Sequence, residues 1–112
     1  MTDDADTVII CYGIVSRIAK SAVNMLRQKG HRIGLLRPMT LFPFPSDEIR
    51  RLEKKASSFI CIELSNGQML DDIKLSMESQ TPLHFFSRMG GNLPTEQDII
   101  KKYLSLQDKT NG

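Results

Sequence analysis

Glu63 is the residue of this sequence whose position most favours acid–base chemistry. It ends an apolar run, residues 59–62, of the kind that forms a buried strand. A carboxylate beside the end of a buried strand can act as a general acid or base. It can equally form an ion pair with Arg37 or Arg88, each of which follows another predicted strand. We favour the ion pair, and acid–base chemistry stays the open alternative.

Two glycine-containing segments follow predicted strands and could contact a ligand. Gly13 stands alone where a dinucleotide-binding turn needs three glycines, and the bulky Ile14 beside it would block a pyrophosphate. We therefore interpret Gly13 as a tight turn between a strand and a helix. The segment 87–92 (SRMGGN) could form a nest of backbone N–H groups for an anion, or a loop that lets another chain approach closely. Both interpretations stay open.

The residue spacing gives no support for a metal centre. Cys11 and Cys61 each lie in an apolar run, fifty positions apart and without a Cys-x-x-Cys pair. Two such cysteines cannot by themselves hold zinc or an iron–sulfur cluster. His31 and His84 are separate and also lack a ligand spacing. The sequence predicts two buried, reduced thiols and no catalytic, cofactor-binding or metal-ligating residue.

Length and charge restrict the classes of function further. The chain has 112 residues, enough for one domain, and its 15 basic and 13 acidic residues give a net charge of +2. The signs are interspersed and only 6% of the residues are aromatic, which is not the pattern of a nucleic-acid-binding protein. No apolar stretch is long enough to cross a bilayer, and the acidic first residues do not resemble a signal peptide. We expect a cytoplasmic protein that binds neither nucleic acid nor membrane.

Strand and helix patterns alternate four times along the chain. Apolar, β-branched runs predict strands at residues 7–12, 32–36, 59–64 and 82–86. The residues after each strand show helical spacing, with Ser46 as the expected N-cap of the second helix and Thr95 with Asp98 as a capping box of the fourth. This alternation is typical of a three-layer α/β/α fold, with a mostly parallel sheet of at least four strands. The economical strand order for such a fold is 2-1-3-4.

A crevice is expected where the winding of this sheet reverses, between strands 1 and 3. Ligands of doubly wound sheets bind outside the carboxyl ends of the strands at this point. The residues expected at the crevice, or at a domain interface there, lie at or just after the ends of strands 1, 3 and 4 and are Gly13, Ile14, Glu63, Asn66, Gly67, Gln68, Arg88, Gly90 and Gly91. Apolar residues in predicted loops suggest a separate partner patch formed by Phe42, Phe44 and Met89. Packing against the core is the alternative for that patch.

Four segments, in this order, carry a resemblance to a known family: 8–13 (VIICYG), 34–45 (GLLRPMTLFPFP), 63–69 (ELSNGQM) and 88–95 (RMGGNLPT). Together they resemble the C-terminal region of the alpha subunit of 2-oxoacid:ferredoxin oxidoreductases. The branched-chain, or 2-oxoisovalerate, type is the most similar and the 2-oxoglutarate type is next. The family implies a fold like the transketolase C-terminal domain, which agrees with the element order above.

The resemblance implies a role in the oxidative decarboxylation of a 2-oxoacid to acyl-CoA with reduction of ferredoxin. The full complex would use thiamine diphosphate, Mg²⁺, iron–sulfur clusters and coenzyme A. The implied partners are the other domains of the alpha subunit, beta and gamma/delta-type subunits, and ferredoxin, in an oligomeric complex. The chain is far shorter than a whole alpha subunit and lacks the diphosphate-binding motif and the cluster cysteines of the family. It therefore resembles one non-catalytic domain of a longer subunit, inactive when isolated.

The domain organisation follows from these patterns, and other functions stay open. We expect a disordered or artificial N-terminus at residues 1–6, a folded domain at 7–105 and a frayed tail at 106–112. The alternative within the superfamily is the C-terminal domain of a transketolase or of a 2-oxoacid dehydrogenase beta subunit. Outside it, the chain could be a free-standing interaction or anion-binding module, or an oligomerisation module that uses the partner patch.

Overall fold

Four strands and four helices alternate along the chain in the computed structural model, which describes residues 5–38, 44–63, 68–87 and 93–111. The predicted α/β class is confirmed. The elements, in chain order, are β1 (Thr7–Ile10), α1 (Ile14–Gln28), β2 (Ile33–Leu36), α2 (Ser46–Glu53), β3 (Ser58–Glu63), α3 (Gln68–Ser76), β4 (Leu83–Ser87) and α4 (Glu96–Asn111).

All four described strands run parallel in one sheet with the order β2-β1-β3-β4, which confirms the predicted order. β1 lies between two neighbours, so Thr7 pairs with Ile33 on one side and with Ser58 on the other. Every residue of β1 is buried. Continuous apolar strands such as β1 are what a parallel sheet requires when helices cover both of its faces.

The sheet separates two apolar clusters, one on each face. Successive residues of a strand point to opposite faces, so Ile9 and Val8 belong to different clusters. The buried members of the α1/α4 cluster are Ile9, Cys11, Val15, Ala19, Ala22, Val23, Leu26, Ile33, Ile60, Ile62, Ile99 and Tyr103. The buried members of the α2/α3 cluster are Ala5, Val8, Ile10, Ile49, Leu52, Ala56, Phe59, Cys61, Met69 and Ile73. Helices therefore cover both faces, as the three-layer prediction required.

α1 begins after β1 at a turn that glycine alone adopts without strain. Gly13 has φ 71° and ψ −151°, a backbone conformation that side chains with a Cβ rarely tolerate. The backbone N–H and the hydroxyl of Ser16 both donate to the Gly13 carbonyl oxygen, at 3.0 and 2.6 Å. These contacts close the first turn of the helix and confirm the tight turn predicted from the single glycine.

The two predicted helix caps have different outcomes. At the start of α4 the Thr95 N–H donates to Asp98 Oδ2 at 2.9 Å, and the Asp98 N–H donates to Thr95 Oγ1 at 3.1 Å, so the capping box is confirmed. The prediction for Ser46 is wrong. Ser46 is the first helical residue of α2, Pro45 occupies the N-cap position, and no side chain caps this end. The Ser46 hydroxyl instead lies 2.8 Å from the hydroxyl of Ser76.

α4 continues past the point where we expected a frayed tail. It ends at Asn111, and Leu106 packs against the α1/α4 cluster while partly buried. Within this helix the Tyr103 hydroxyl lies 3.3 Å from His31 Nδ1, and Gln107 Nε2 approaches Thr7 Oγ1 at 3.5 Å. α4 thus returns to the start of β1. None of the described helices has the length and the apolar character needed to span a membrane.

Candidate functional site

The carboxyl edge of the sheet is the place where the sequence predicts a crevice. β1 and β3 are adjacent there, with Ile10 beside Cys61 in register. The turn at Gly13 leads from β1 into α1, and Glu63 is the last residue of β3. The structure therefore brings Gly13, Ile14 and Glu63 to one edge, as the strand order requires.

Glu63 ends β3 with its carboxylate folded back onto the beginning of α3. Oε1 accepts the backbone N–H of Met69 at 3.0 Å, and Oε2 accepts that of Leu70 at 2.9 Å. The side chain is buried, with 2% exposure. The first N–H groups of a helix lack partners within the helix and carry partial positive charge, so a carboxylate is stabilised there. Glu63 anchors α3 to the end of β3.

This cap is a third role for Glu63, beside the ion pair and the acid–base function expected from the sequence. The sequence feature that could have predicted this cap is the short interval between Glu63 and the helical residue Met69. Over that interval the Glu63 side chain can reach the start of the helix. The ion pair with Arg88 stays a prediction because Arg88 lies outside the described residues. Arg37, the other expected partner, lines a cleft on the β2 side of the edge.

The remaining crevice residues are described only in part. α3 begins at Gln68, as a helix following the expected turn requires. The others that the sequence places at the crevice lie outside the described residues: Asn66, Gly67, Arg88, Gly90 and Gly91.

Exposed apolar side chains at this edge lie close to Gly13. Ile14 is 58% exposed and Tyr12 is 38% exposed. The sequence assigned Tyr12 to the first strand, but β1 ends at Ile10. Phe44 belongs to the predicted partner patch, for which packing against the core is the alternative. Its side chain is half-buried and packs against the α2/α3 cluster, as in that alternative. Phe42 and Met89 lie outside the described residues, so the patch stays a prediction.

Cys61 lies on β3, Cys11 directly follows the neighbouring strand β1, and the two side chains lie on opposite faces of the sheet. Cys11 belongs to the α1/α4 cluster and Cys61 to the α2/α3 cluster, and both are free and buried. Burial raises the pKa of the Cys11 thiol to about 12, against the weaker opposing effect of Arg37. Burial, and then the nearby Glu63 carboxylate, raise the pKa of Cys61. The Cys61 thiol donates to Glu63 Oε2 at 3.8 Å.

We expect both thiols to resist modification in the folded protein. Moving a thiol pKa from 9.0 to about 12 lowers the thiolate fraction at about pH 8 roughly a thousandfold. With a chromogenic disulfide reagent, the native chain should react at least ~100-fold more slowly than the chain in concentrated guanidinium chloride, where both thiols react. Fast reaction of one thiol in the native chain would show that its strand end is open to solvent.

The donor groups of the described residues do not fit a resident metal or cluster. No group of three or more His, Cys, Asp or Glu side chains converges in the described part of the chain. An iron–sulfur cluster needs several thiolates on one side, whereas Cys11 and Cys61 lie on opposite faces of the sheet. We derive no chemical step through a metal in this domain.

Two oxidoreductase or synthase subunits align with almost the whole length of this chain. It is 46% identical over 111 residues to the ketoisovalerate oxidoreductase subunit VorB of Methanothermobacter marburgensis, covering 99% of this chain and 31% of that protein. It is 30% identical over 106 residues to the 2-oxoglutarate synthase subunit KorA of the same organism, covering 95% of this chain and 28% of that protein. The chain thus spans about a third of the length of these relatives.

Solved structures with similar folds agree with the architecture. The 2-oxoglutarate:ferredoxin oxidoreductase from Magnetococcus marinus matches with a TM-score of 0.82 and 21% identity, over 91% of this chain and 18% of that one. A split-gene transketolase, an inactive beta4 tetramer, matches with a TM-score of 0.75 and 16% identity, over 93% of this chain and 39% of that one. At these identities the likeness concerns the fold, and it confirms the transketolase-like prediction.

The family follows from a match along most of the chain. Residues 5–99 match the family described as pyruvate:ferredoxin oxidoreductase core domain II. The matched range contains all four strands and the first three helices. Together with the relatives above, this confirms the resemblance found in the sequence: the chain belongs to the core domain II family of the pyruvate:ferredoxin oxidoreductases.

Proposed function

We propose that this chain is the C-terminal domain of the alpha subunit of a 2-oxoacid:ferredoxin oxidoreductase of the branched-chain type. It supports the oxidative decarboxylation of a 2-oxoacid to acyl-CoA, with reduction of ferredoxin, in a complex whose reacting groups lie on other domains. The observation that carries this proposal is the 46% identity to a ketoisovalerate oxidoreductase subunit over 99% of the chain. The identity to a 2-oxoglutarate synthase subunit is 30%, which favours the branched-chain substrate.

A structural role in the complex fits the described side chains. Glu63 is the one charged residue among them that is buried, and backbone N–H groups of α3 engage both of its carboxylate oxygens. The two thiols are buried and have raised pKa values, which makes them poor nucleophiles. Buried groups of this kind stabilise a fold. They therefore support the proposal that this domain packs against its neighbours and holds the complex together.

Cofactors and partners belong to this proposal at the level of the whole complex. Thiamine diphosphate, Mg²⁺, iron–sulfur clusters and coenzyme A would act on its other domains and subunits, and we assign none of them to this domain. The partners would be the remaining alpha-subunit domains, beta and gamma/delta-type subunits, and ferredoxin. The absence of a membrane-spanning helix among the described helices is compatible with the cytoplasmic location that we propose.

Domain replacement tests the proposal directly. The 112 residues replace the matching segment of the Methanothermobacter marburgensis ketoisovalerate subunit, and the assembled complex is assayed for viologen reduction with 2-oxoisovalerate. We expect most of the activity to be retained, because the two domains share 46% of their residues. The matched control places the same 112 residues in the 2-oxoglutarate synthase subunit. Because the identity there is 30%, we expect fewer preserved interface contacts and a smaller retained fraction of that complex's activity.

Two results would contradict the proposal. The first is a ketoisovalerate chimera that assembles but is inactive, or is less active than the 2-oxoglutarate chimera. The second is turnover of any 2-oxoacid by the isolated chain supplied with thiamine diphosphate, Mg²⁺, coenzyme A and viologen, because the proposed domain has no catalytic residue.

A further inference from the structure

We infer that a cleft beside the start of α1 binds the phosphate group of a small anionic ligand, and that Arg17, Lys20 and Arg37 are the residues that bind it. The cleft lies at the carboxyl edge of the sheet on its β2 side, and its lining shares Gly13 and Ile14 with the residues expected at the crevice between β1 and β3. It is a property of this domain, whichever complex the domain serves.

The cleft has the size of a small-molecule site. Its volume is about 500 Å³, and its described lining consists of Gly13, Ile14, Ser16, Arg17, Arg37 and Pro38. An adjoining hollow of about 560 Å³ shares Ser16, Arg17 and Arg37 with it and adds Lys20 and Leu35. Sites for small ligands enclose roughly 300–1,000 Å³.

The fold brings the three cationic residues together from two elements. Arg17 and Lys20 are three positions apart on α1, so they lie on the same side of the helix. Arg37 directly follows β2, where the Cys11 N–H donates to the Leu36 carbonyl oxygen at 3.3 Å. That hydrogen bond holds the end of β2 beside the turn from which α1 begins.

Every charged residue in the described lining is cationic, and no carboxylate lines the cleft there. Three arginines elsewhere in the described part of the chain pair with acidic side chains. Arg32 pairs with Asp6, while Arg50 and Arg51 pair with acidic residues of their own helix.

Within the described part of the chain, Arg17, Lys20 and Arg37 have no such ion pair. Three like charges around one hollow repel one another, and an anion bound between them removes that repulsion.

A phosphate group fits this arrangement better than an acidic peptide does. A guanidinium group presents several N–H donors in a plane that matches two phosphate oxygens, and Arg17 and Arg37 supply two such groups. Lys20 adds a compact third charge. A phosphate offers oxygens to all three cations at once, whereas each carboxylate of a peptide has only two oxygens to share among them.

Amide chemical-shift titration of the ¹⁵N-labelled chain tests the inference. Orthophosphate and pyrophosphate are added separately, with sodium chloride holding the ionic strength at about 0.15 M. We expect saturable shifts concentrated at the backbone amides of Gly13, Ser16, Arg17 and Arg37. Tighter binding of pyrophosphate would identify a diphosphate as the ligand class, and equal binding a single phosphate. Either ranking supports the site.

Charge-neutralising variants locate the binding. Arg17→Gln and Arg37→Gln should each weaken binding about tenfold, as loss of one charge-assisted contact predicts. Lys101→Gln, which removes the same charge from an exposed position on α4, should leave the affinity unchanged. The three cleft residues are exposed, and the native-like spectrum of each variant, recorded without phosphate, serves as the folding control.

Three results would overturn the inference. One is a set of shifts that grow linearly without saturation. Another is an equal loss of affinity in Lys101→Gln, which would indicate general attraction to a basic surface. The third is tighter binding of hexaglutamate than of pyrophosphate, which would make the cleft a docking site for an acidic protein segment. None of these results bears on the domain-replacement assay.

Discussion

Replacing Glu63 with alanine is expected to lower the free energy of unfolding by about 3 kcal/mol, because the variant loses two charge-assisted hydrogen bonds in a buried place. The Met69 and Leu70 N–H groups would lose their acceptor at the start of α3. Water cannot readily replace it, since Glu63 is 2% exposed. The α2/α3 cluster would weaken as well, because Met69 and Ile73 reach it from α3. Urea unfolding followed by circular dichroism measures the change.

Two further variants separate the cap from the mere loss of volume at Glu63. Glu63→Gln keeps the shape but offers one carbonyl oxygen in place of two carboxylate oxygens, so we expect a loss of about 2 kcal/mol. Glu96→Ala is the matched control, because Glu96 is an acidic residue in the first turn of α4 and is only partly buried. It should cost about 0.5 kcal/mol. Equal effects of Glu63→Ala and Glu96→Ala would show that Glu63 does not anchor α3.

Phe59→Ala is expected to destabilise the chain by about 4 kcal/mol, the largest effect that we predict for a single substitution. Phe59 is the bulkiest of the fully buried side chains and belongs to the α2/α3 cluster. It lies on β3 between Val8 of β1 and Leu83 of β4, so its neighbours are fixed on both sides and the cavity cannot close. A domain of this size has a total stability of about 5–15 kcal/mol.

Leu75→Ala is the matched control for Phe59→Ala. Leu75 lies on α3 and is 84% exposed, so its truncation should change the free energy of unfolding by less than about 0.5 kcal/mol. The two variants are compared by thermal and urea unfolding under the same conditions. A loss below about 1 kcal/mol for Phe59→Ala would mean that the core rearranges to fill the space, contrary to fixed packing between β1 and β4.

The architecture could be predicted from the sequence because each strand and helix has a pattern within its own segment, and general rules for parallel sheets then restrict the strand order. The apolar run of β1 requires burial on both faces, and the change to helical spacing after Gly13 marks the start of α1. Once strands and helices alternate, the handedness of crossovers and the need to cover both faces leave few strand orders. The capping box of Thr95 and Asp98 was also predictable, since both residues lie within one helical turn.

The interactions that the sequence did not reveal join residues from distant elements. Ser46 has the right type for an N-cap, but its hydroxyl meets Ser76 of α3, and that contact depends on how the two helices pack. The role of Glu63 likewise depends on where α3 begins relative to β3. For the candidate site, the strand order predicts that Gly13, Ile14 and Glu63 lie at the carboxyl edge of the sheet, where the structure has them. It could not show that Arg17 and Lys20 would face Arg37, since that depends on how α1 packs beside β2.

The contact between Gln107 and Thr7 has a consequence for the chain path. It holds the last helix against the first strand at the amino edge of the sheet, on the side away from the cleft. The helix and the strand are a hundred positions apart in sequence, so the contact closes the folded domain between its first strand and its last helix. Shortening α4 before Gln107 would remove this closure, while the pairings of β1 with β2 and β3 would remain.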